Sequence, residues 1–304
     1  PRSIQTVDFD KDLDIDILTV SQNLDMVAWF ENDGNQNFNI NIISSNRDGA
    51  HSARSIDFDK DGDNDVIVAS TYDNTLSWYE NDGNQNFTEH IISDTAMGAH
   101  SVFLEDIDKD GKIDILTTLY YSNSIAWFKN GDNYKFEYIV IDSQSSGAYN
   151  AKIIDIDNDG DFDVYAASYY DNTIAWYEND GNQNFTKIII DNNAIGAHNL
   201  RAFDIDMDAD FDIIAASRED NTIAWHENDG NQNFTKIIID NDAAGAHDIT
   251  LADINLNGNI DIAGALFKSN SVVLYENISK KKFTKTNISI SAIGAHALTN
   301  SDID

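Results

Sequence analysis

A strict period of 49 residues constrains this chain more than any other feature. The aspartates Asp8, Asp57, Asp106, Asp155, Asp204, Asp253 and Asp302 each open an acidic run and follow one another at that spacing without an insertion or deletion. Six full periods and a ten-residue remainder account for all 304 residues. A unit runs from Gly49-Ala50-His51 through the acidic loop Asp57 to Asp65, the run VIVAS, the turn Asp73-Asn74, the run TLSWYEN, the turn DGNQN and a last run FTEHIIS. Short runs rich in Ile, Val, Trp, Tyr and Phe, bounded by Asn, Asp and Gly, predict strands, four to a unit. Side chains alternate between the faces of a strand. In Ile125-Ala126-Trp127-Phe128 and its counterparts both faces are mainly apolar, as a sheet packed on each side by neighbours requires.

Four strands repeating every 40–50 residues predict a blade of a β-propeller, whereas stacked solenoid coils repeat at roughly 20–45. The expectation is an all-β chain forming one propeller domain over residues 1–304. Residues 295–304 repeat the first strand of a unit. Seven blades are therefore expected, with the tail as the inner strand of the seventh; six blades with an accessory strand is the alternative.

The chemistry lies in the acidic loops. Loop two, Asp57-Phe-Asp59-Lys-Asp61-Gly62-Asp63-Asn-Asp65, has the pattern D-x-D-x-D-G-x-x-D. Such packed carboxylates repel one another unless a cation lies among them, and hard oxygen ligands without His or Cys select calcium. Positions 1, 3, 5 and 9 are the expected side-chain ligands, position 7 offers a backbone carbonyl, and Gly at position 6 permits the turn. The ligand sets are Asp8, Asp10, Asp12 and Asp16; Asp57, Asp59, Asp61 and Asp65; Asp106, Asp108, Asp110 and Asp114; Asp155, Asp157, Asp159 and Asp163; Asp204, Asp206, Asp208 and Asp212; and Asp253, Asn255, Asn257 and Asp261. Up to six calcium ions are expected. Loops one and five carry Leu13 and Ala209 where the others have Gly, which predicts non-Gly residues in left-handed geometry; loop six keeps only two carboxylates and should bind most weakly. An EF-hand is excluded, because Val68 and Thr117 stand where its twelfth-position Glu would be.

On these residues the chain resembles the FG-GAP/VCBS repeat family, whose calcium-bearing propellers include the head of integrin α subunits and some fungal and bacterial lectins. The resemblance rests on the acidic loop and on Gly-Ala-His, which stands at the family's Gly-Ala-Pro position; the family's Phe-Gly element is not kept. It implies an ion that staples the hairpin between the inner strands, a role that in the family is rarely catalytic.

Other repeated positions have bland explanations. His51, His100, His198, His247 and His296, with Tyr149 in the remaining unit, suit packing and hydrogen bonding better than a metal ring, since Tyr is a poor substitute ligand. Trp29, Trp78, Trp127, Trp176 and Trp225 sit mid-strand and should be buried. Exposed aromatics are better sought at Tyr120, Tyr121, Tyr169 and Tyr170. Asp-Gly explains a tight hairpin, but the amides that follow it are not required by that turn. Asn35-Gln36-Asn37, Asn84-Gln85-Asn86, Asn182-Gln183-Asn184 and Asn231-Gln232-Asn233 are therefore candidate ligand-binding residues for sugar hydroxyls.

A formal charge of −34 repels phosphate backbones and anionic headgroups, so nucleic acid is not an expected partner, and no apolar window is long enough for membrane insertion. The absence of Cys excludes disulfides. Pro1-Arg2-Ser3 has neither an initiator Met nor an apolar signal core, the expectation for a mature or excised segment. The expected function is that of a secreted or cell-surface binding or adhesion module, lectin-like and multivalent, with a glycan or extracellular protein as ligand, and not an enzyme. A polysaccharide lyase using Tyr149, His226 and Arg218, or a structural spacer, is the alternative.

Overall fold

The computed structural model describes residues 1–35, 37–279 and 281–300. Six four-stranded antiparallel sheets, the blades of a β-propeller, follow one another at residues 3–44, 50–93, 99–142, 148–191, 197–240 and 246–289. Residues 1–144 and residues 145–300 form two compact units, each containing three sheets. Within the second sheet the strands are Ala50–Ile56, Asp65–Ser70, Thr75–Asn81 and Phe87–Ser93, paired in chain order. No helix among the described residues is long and apolar enough to cross a membrane.

Adjacent sheets of one unit pack face to face. Ile67, Leu76 and Trp78 of sheet two pack with Val102, Ile115 and Leu119 of sheet three, and Ile214, Ile223 and Trp225 of sheet five with Ile249, Ile262 and Val273 of sheet six. All five tryptophans are buried. The outer strand is mostly exposed, but a register shift between Leu76 and Ser77 sets Ile92 apart, and it packs into the core. A second irregularity explains the histidines. The pairing skips His51, His198 and His247, and a bulge of this kind re-aims a side chain. The buried His51 and His198 rings donate from Nδ1 to the carbonyls of His100 (3.0 Å) and His247 (2.7 Å), one repeat further on. They clasp adjacent sheets.

The seven-blade expectation is corrected: six complete sheets are present among the described residues, and residues 295–300 form no strand. The segment instead lies beside sheet six, with His247 Nδ1 2.7 Å from the His296 carbonyl and the Leu298 amide donating to Asp248 at 2.7 Å. Asp302 lies outside the described residues.

Candidate functional site

The acidic loops join the first and second strands of each sheet, and their geometry repeats. The position 1 carboxylate accepts from the amide at position 6, as from Gly62 to Asp57 (3.2 Å) and Gly111 to Asp106 (2.8 Å). Position 3 accepts from position 5, and position 5 from position 7, as Asp61 to Asp59 (3.1 Å) and Asp63 to Asp61 (2.9 Å). Leu13 and Ala209 stand at φ 80° and 79°, beside Gly62 at 100°, so left-handed geometry holds whatever the side chain. Position 4 is left-handed as well, at Lys11, Lys60, Lys109, Asn158, Met207 and Leu256, which no glycine in the sequence marks.

This folding gathers ligand oxygens within 4.8 Å of one another in five loops: Asp8, Asp10 and Asp16; Asp57, Asp59 and Asp61; Asp106, Asp108 and Asp114; Asp155, Asp157 and Asp163; Asp204, Asp206 and Asp212. Asp12, Asp65, Asp110, Asp159 and Asp208 complete the same loops without belonging to the tight groups. Among the described residues loop six, with Asp253, Asn255, Asn257 and Asp261, forms no such group. The donor set is all oxygen, and the Oδ1 atoms of Asp57 and Asp106 are buried without a hydrogen-bond partner. A hard divalent cation would satisfy them, so these residues fit calcium.

Position 9 has a second task. Asp114 is fully buried and accepts from the backbone amides of Ile107 (3.2 Å) and Asn130 (2.7 Å), tying the loop to the end of the third strand. Asp16, Asp65, Asp163, Asp212 and Asp261 make the same pair of bonds. The partner asparagine is a residue that sequence reasoning missed, although Asn32, Asn81, Asn130, Asn179, Asn228 and Asn277 recur at the repeat spacing. Burial raises the Asp16 and Asp65 carboxyls to about 6 and those of Asp114, Asp163 and Asp212 to about 7, against an ordinary 3.8, and the backbone amides offset only part of this.

These carboxyls bind a proton more readily folded than unfolded. Their contribution to stability is therefore present at low pH and lost as pH rises through 6 to 7. In excess chelator the urea midpoint should rise when the pH is lowered from about 8 to about 5. With calcium bound the sign should reverse, because protons then compete with the ion for the same oxygens. A metal-free chain that loses stability over that interval would contradict the burial argument.

The hairpin amides are drawn into their own turn. Asn86 Nδ2 donates to the Asp82 carboxylate at 3.0 Å, and the Asn84 and Asn86 backbone amides donate to it at 2.9 and 3.2 Å. Asn35 and Asn37, Asn182 and Asn184, and Asn231 and Asn233 bond Asp33, Asp180 and Asp229 in the same way. Gly83 precedes them because a Cβ there would lie 2.4 Å from the Asp63 carboxylate. The central glutamine, at φ 60° in Gln85, 67° in Gln183 and 65° in Gln232, points elsewhere: Gln232 donates to Asp157 of the preceding sheet at 3.3 Å. Gln36 lies outside the described residues.

Within each unit, the hairpin tips of the second and third sheets thus reach the acidic loop or third strand of the sheet before them. Asp10, Trp29 and Glu31 line one cleft with Gln85, and Asp59, Trp78 and Glu80 line the next with Tyr134. The residues weighed for a lyase have separate partners. His226 is buried against Asp191 (3.0 Å) and the Ile213 carbonyl (3.2 Å), Tyr149 packs on His198, and Arg218 lies over Phe267. Tyr121 and Tyr170 are exposed, whereas the Tyr169 hydroxyl donates to Glu219 at 2.6 Å.

The family described as FG-GAP-like repeat matches residues 8–68, 57–117, 106–166, 155–215 and 204–264, which together run unbroken from 8 to 264. No curated protein matches the chain in sequence. Several solved structures share its fold at low identity. A lectin of Agrocybe aegerita that recognises non-reducing terminal N-acetylglucosamine aligns with a TM-score of 0.66 at 16% identity, over 95% of this chain and 80% of the lectin. A protein of Lactobacillus plantarum gives 0.70 at 13%, over 98% and 86%. A periplasmic gluconolactonase of Pseudomonas aeruginosa gives 0.66 at 10%, over 98% and 86%.

Proposed function

We propose, from the premise that this chain belongs to the FG-GAP-like repeat family, that it is a secreted, calcium-stabilised β-propeller working as a binding or adhesion module for a glycan or an extracellular protein. The observation that carries this reading is the sameness of the repeats. Five loops each gather three carboxylates, at positions 1, 3 and 9 in four of them and 1, 3 and 5 in loop two, and the Asp-Gly-Asn-Gln-Asn hairpin tip recurs in four of the six repeats. Equivalent surfaces on one scaffold suit weak sites that gain avidity together.

Calcium would be held in loop two by Asp57, Asp59, Asp61 and Asp65 with the Asp63 carbonyl, and in the other loops by their counterparts. Bound there, it supplies charge compensation for crowded carboxylates. A cage that spends its ligands on protein oxygens leaves little room for a substrate or an activated water, which supports a structural role for the ion. The hairpin amides remain the proposed glycan contacts. Since their asparagines also shape the turn, a sugar would meet the glutamine and the outer amide edges.

A glycan array probed with calcium-loaded protein tests this directly. Binding to one class of sugar, weakened in steps as Gln85, Gln183 and Gln232 are changed to Ser, is the expected result. An array without any binder, together with turnover of an anionic polysaccharide, would replace the reading with an enzyme; failure of both, with no extracellular protein bound, would leave a spacer.

A further inference from the structure

We propose that the cleft between the second and third sheets is a binding site for the primary ammonium of a lysine side chain presented by a partner polypeptide. The inference deepens the binding-module reading by naming the chemistry of one site, and it starts from the chain's own behaviour elsewhere. In the cleft between sheets five and six, the hairpin-tip residue Lys281 places Nζ 2.7 Å from the Glu227 carboxylate and 5.8 Å from the Trp225 ring centroid. On sheet three, Lys129 pairs with Asp108 and stands 5.7 Å from the centre of Trp127. Twice, an ammonium settles over the tryptophan and beside an acidic group of these clefts.

The cleft of sheet two keeps that setting and has no lysine in its lining. Asp59, Trp78 and Glu80 occupy the positions of Asp206, Trp225 and Glu227, while Tyr134 stands where Lys281 does and Glu80 where Lys129 does. The cavity measures about 510 Å³, against about 240 Å³ for its neighbour between sheets one and two, where Gln85 replaces the tyrosine. Pockets that hold small ligands span roughly 300–1,000 Å³. Tyr134 sits 4.8 Å from Trp78, and His90 stacks on the same indole at 4.6 Å. His90 Nε2 lies 2.6 Å from Glu80, so the carboxylate is held in place beside the rings. Asn133 and Tyr134 are both at φ near +55°, a conformation that costs energy in a non-Gly pair and fixes the tyrosine over the cleft.

Aromatic faces and a carboxylate attract a cation together, and the ring quadrupoles act best on one shed of water. When calcium fills loop two, Asp59 is engaged by the ion and Glu80 remains the partner for the ammonium. A net charge of −34 draws cationic ligands to the chain in the first place. A neutral sugar would use the rings alone; a lysine uses the rings and the carboxylate, which His90 holds in place.

Titration of the calcium-loaded chain with Nα-acetyl-lysine methylamide, read by tryptophan fluorescence, tests the site. Saturable binding is expected, at least about tenfold weaker when the ligand carries an Nε-acetyl group or the protein carries Glu80→Gln, which corresponds to losing one charge-assisted contact. Tyr134→Lys copies the chain's own sixth repeat and should block the site by supplying the ammonium internally. Glu80 and Tyr134 are both exposed, so neither change threatens the fold. Equal binding of the acetylated ligand, tighter binding of glucosamine than of the lysine probe, or undiminished binding by the Tyr134→Lys variant would overturn the proposal. Glycan binding that survives Tyr134→Lys would leave the wider binding-module reading standing, so the two can fail separately.

Discussion

Replacing Asp114 by Ala should cost about 2–6 kcal/mol of stability, enough to unfold a large share of a marginal chain. The substitution strands two buried backbone donors, Ile107 and Asn130, and an unsatisfied buried donor costs about 1–3 kcal/mol. Loss of a metal ligand adds to this. Asp261→Ala separates the two contributions, because Asp261 makes the same pair of bonds, to Ile254 and Asn277, in the loop least suited to an ion. Urea unfolding in excess chelator should find the two variants similarly impaired, and added calcium should widen the gap between Asp114→Ala and the parent while leaving that for Asp261→Ala nearly unchanged. Two variants indistinguishable from the parent in chelator would mean that position 9 is a ligand alone.

Removing calcium should lower the melting temperature by a margin that single substitutions on the surface do not approach. An ion that binds only the folded chain stabilises it by about 2.7 kcal/mol per site at a hundred times its Kd, and five loops gather the required oxygens. Chelation also returns uncompensated charge to a chain already at −34. The effect should saturate with added calcium and be only weakly reproduced by magnesium, which demands a near-ideal octahedron and sheds its water reluctantly. An unchanged melting curve in chelator would mean that the loops stand on their hydrogen bonds alone.

What could be read beforehand was whatever repeats in sequence and acts locally. The period placed all four strands of every sheet, and the burial of the tryptophans followed from their mid-strand positions. The substitutions at Leu13 and Ala209 foretold left-handed residues because a turn of that shape is a local matter. Three features were not legible, each for a physical reason. The left-handed residue at position 4, such as Lys60 or Met207, carries no glycine to announce it. The bond from Asn130 to Asp114 uses a backbone amide, which has no letter in a sequence, so only the recurrence of asparagine hinted at it. The reach of a hairpin tip into the preceding sheet joins residues 75 apart, as Gln232 and Asp157 are, and depends on how blades pack. Blade number was misjudged because the tail from Ala295 copies an inner strand in sequence, while in the structure residues 295–300 bond to sheet six without forming a strand.

Isothermal titration of calcium into chelator-stripped protein should show close to five ions bound together, a sixth only at much higher calcium, and one ion fewer in Asp106→Ala, whose loop loses its position 1 ligand. No calcium binding, or a stoichiometry unchanged by that substitution, would rule out these loops as the calcium sites.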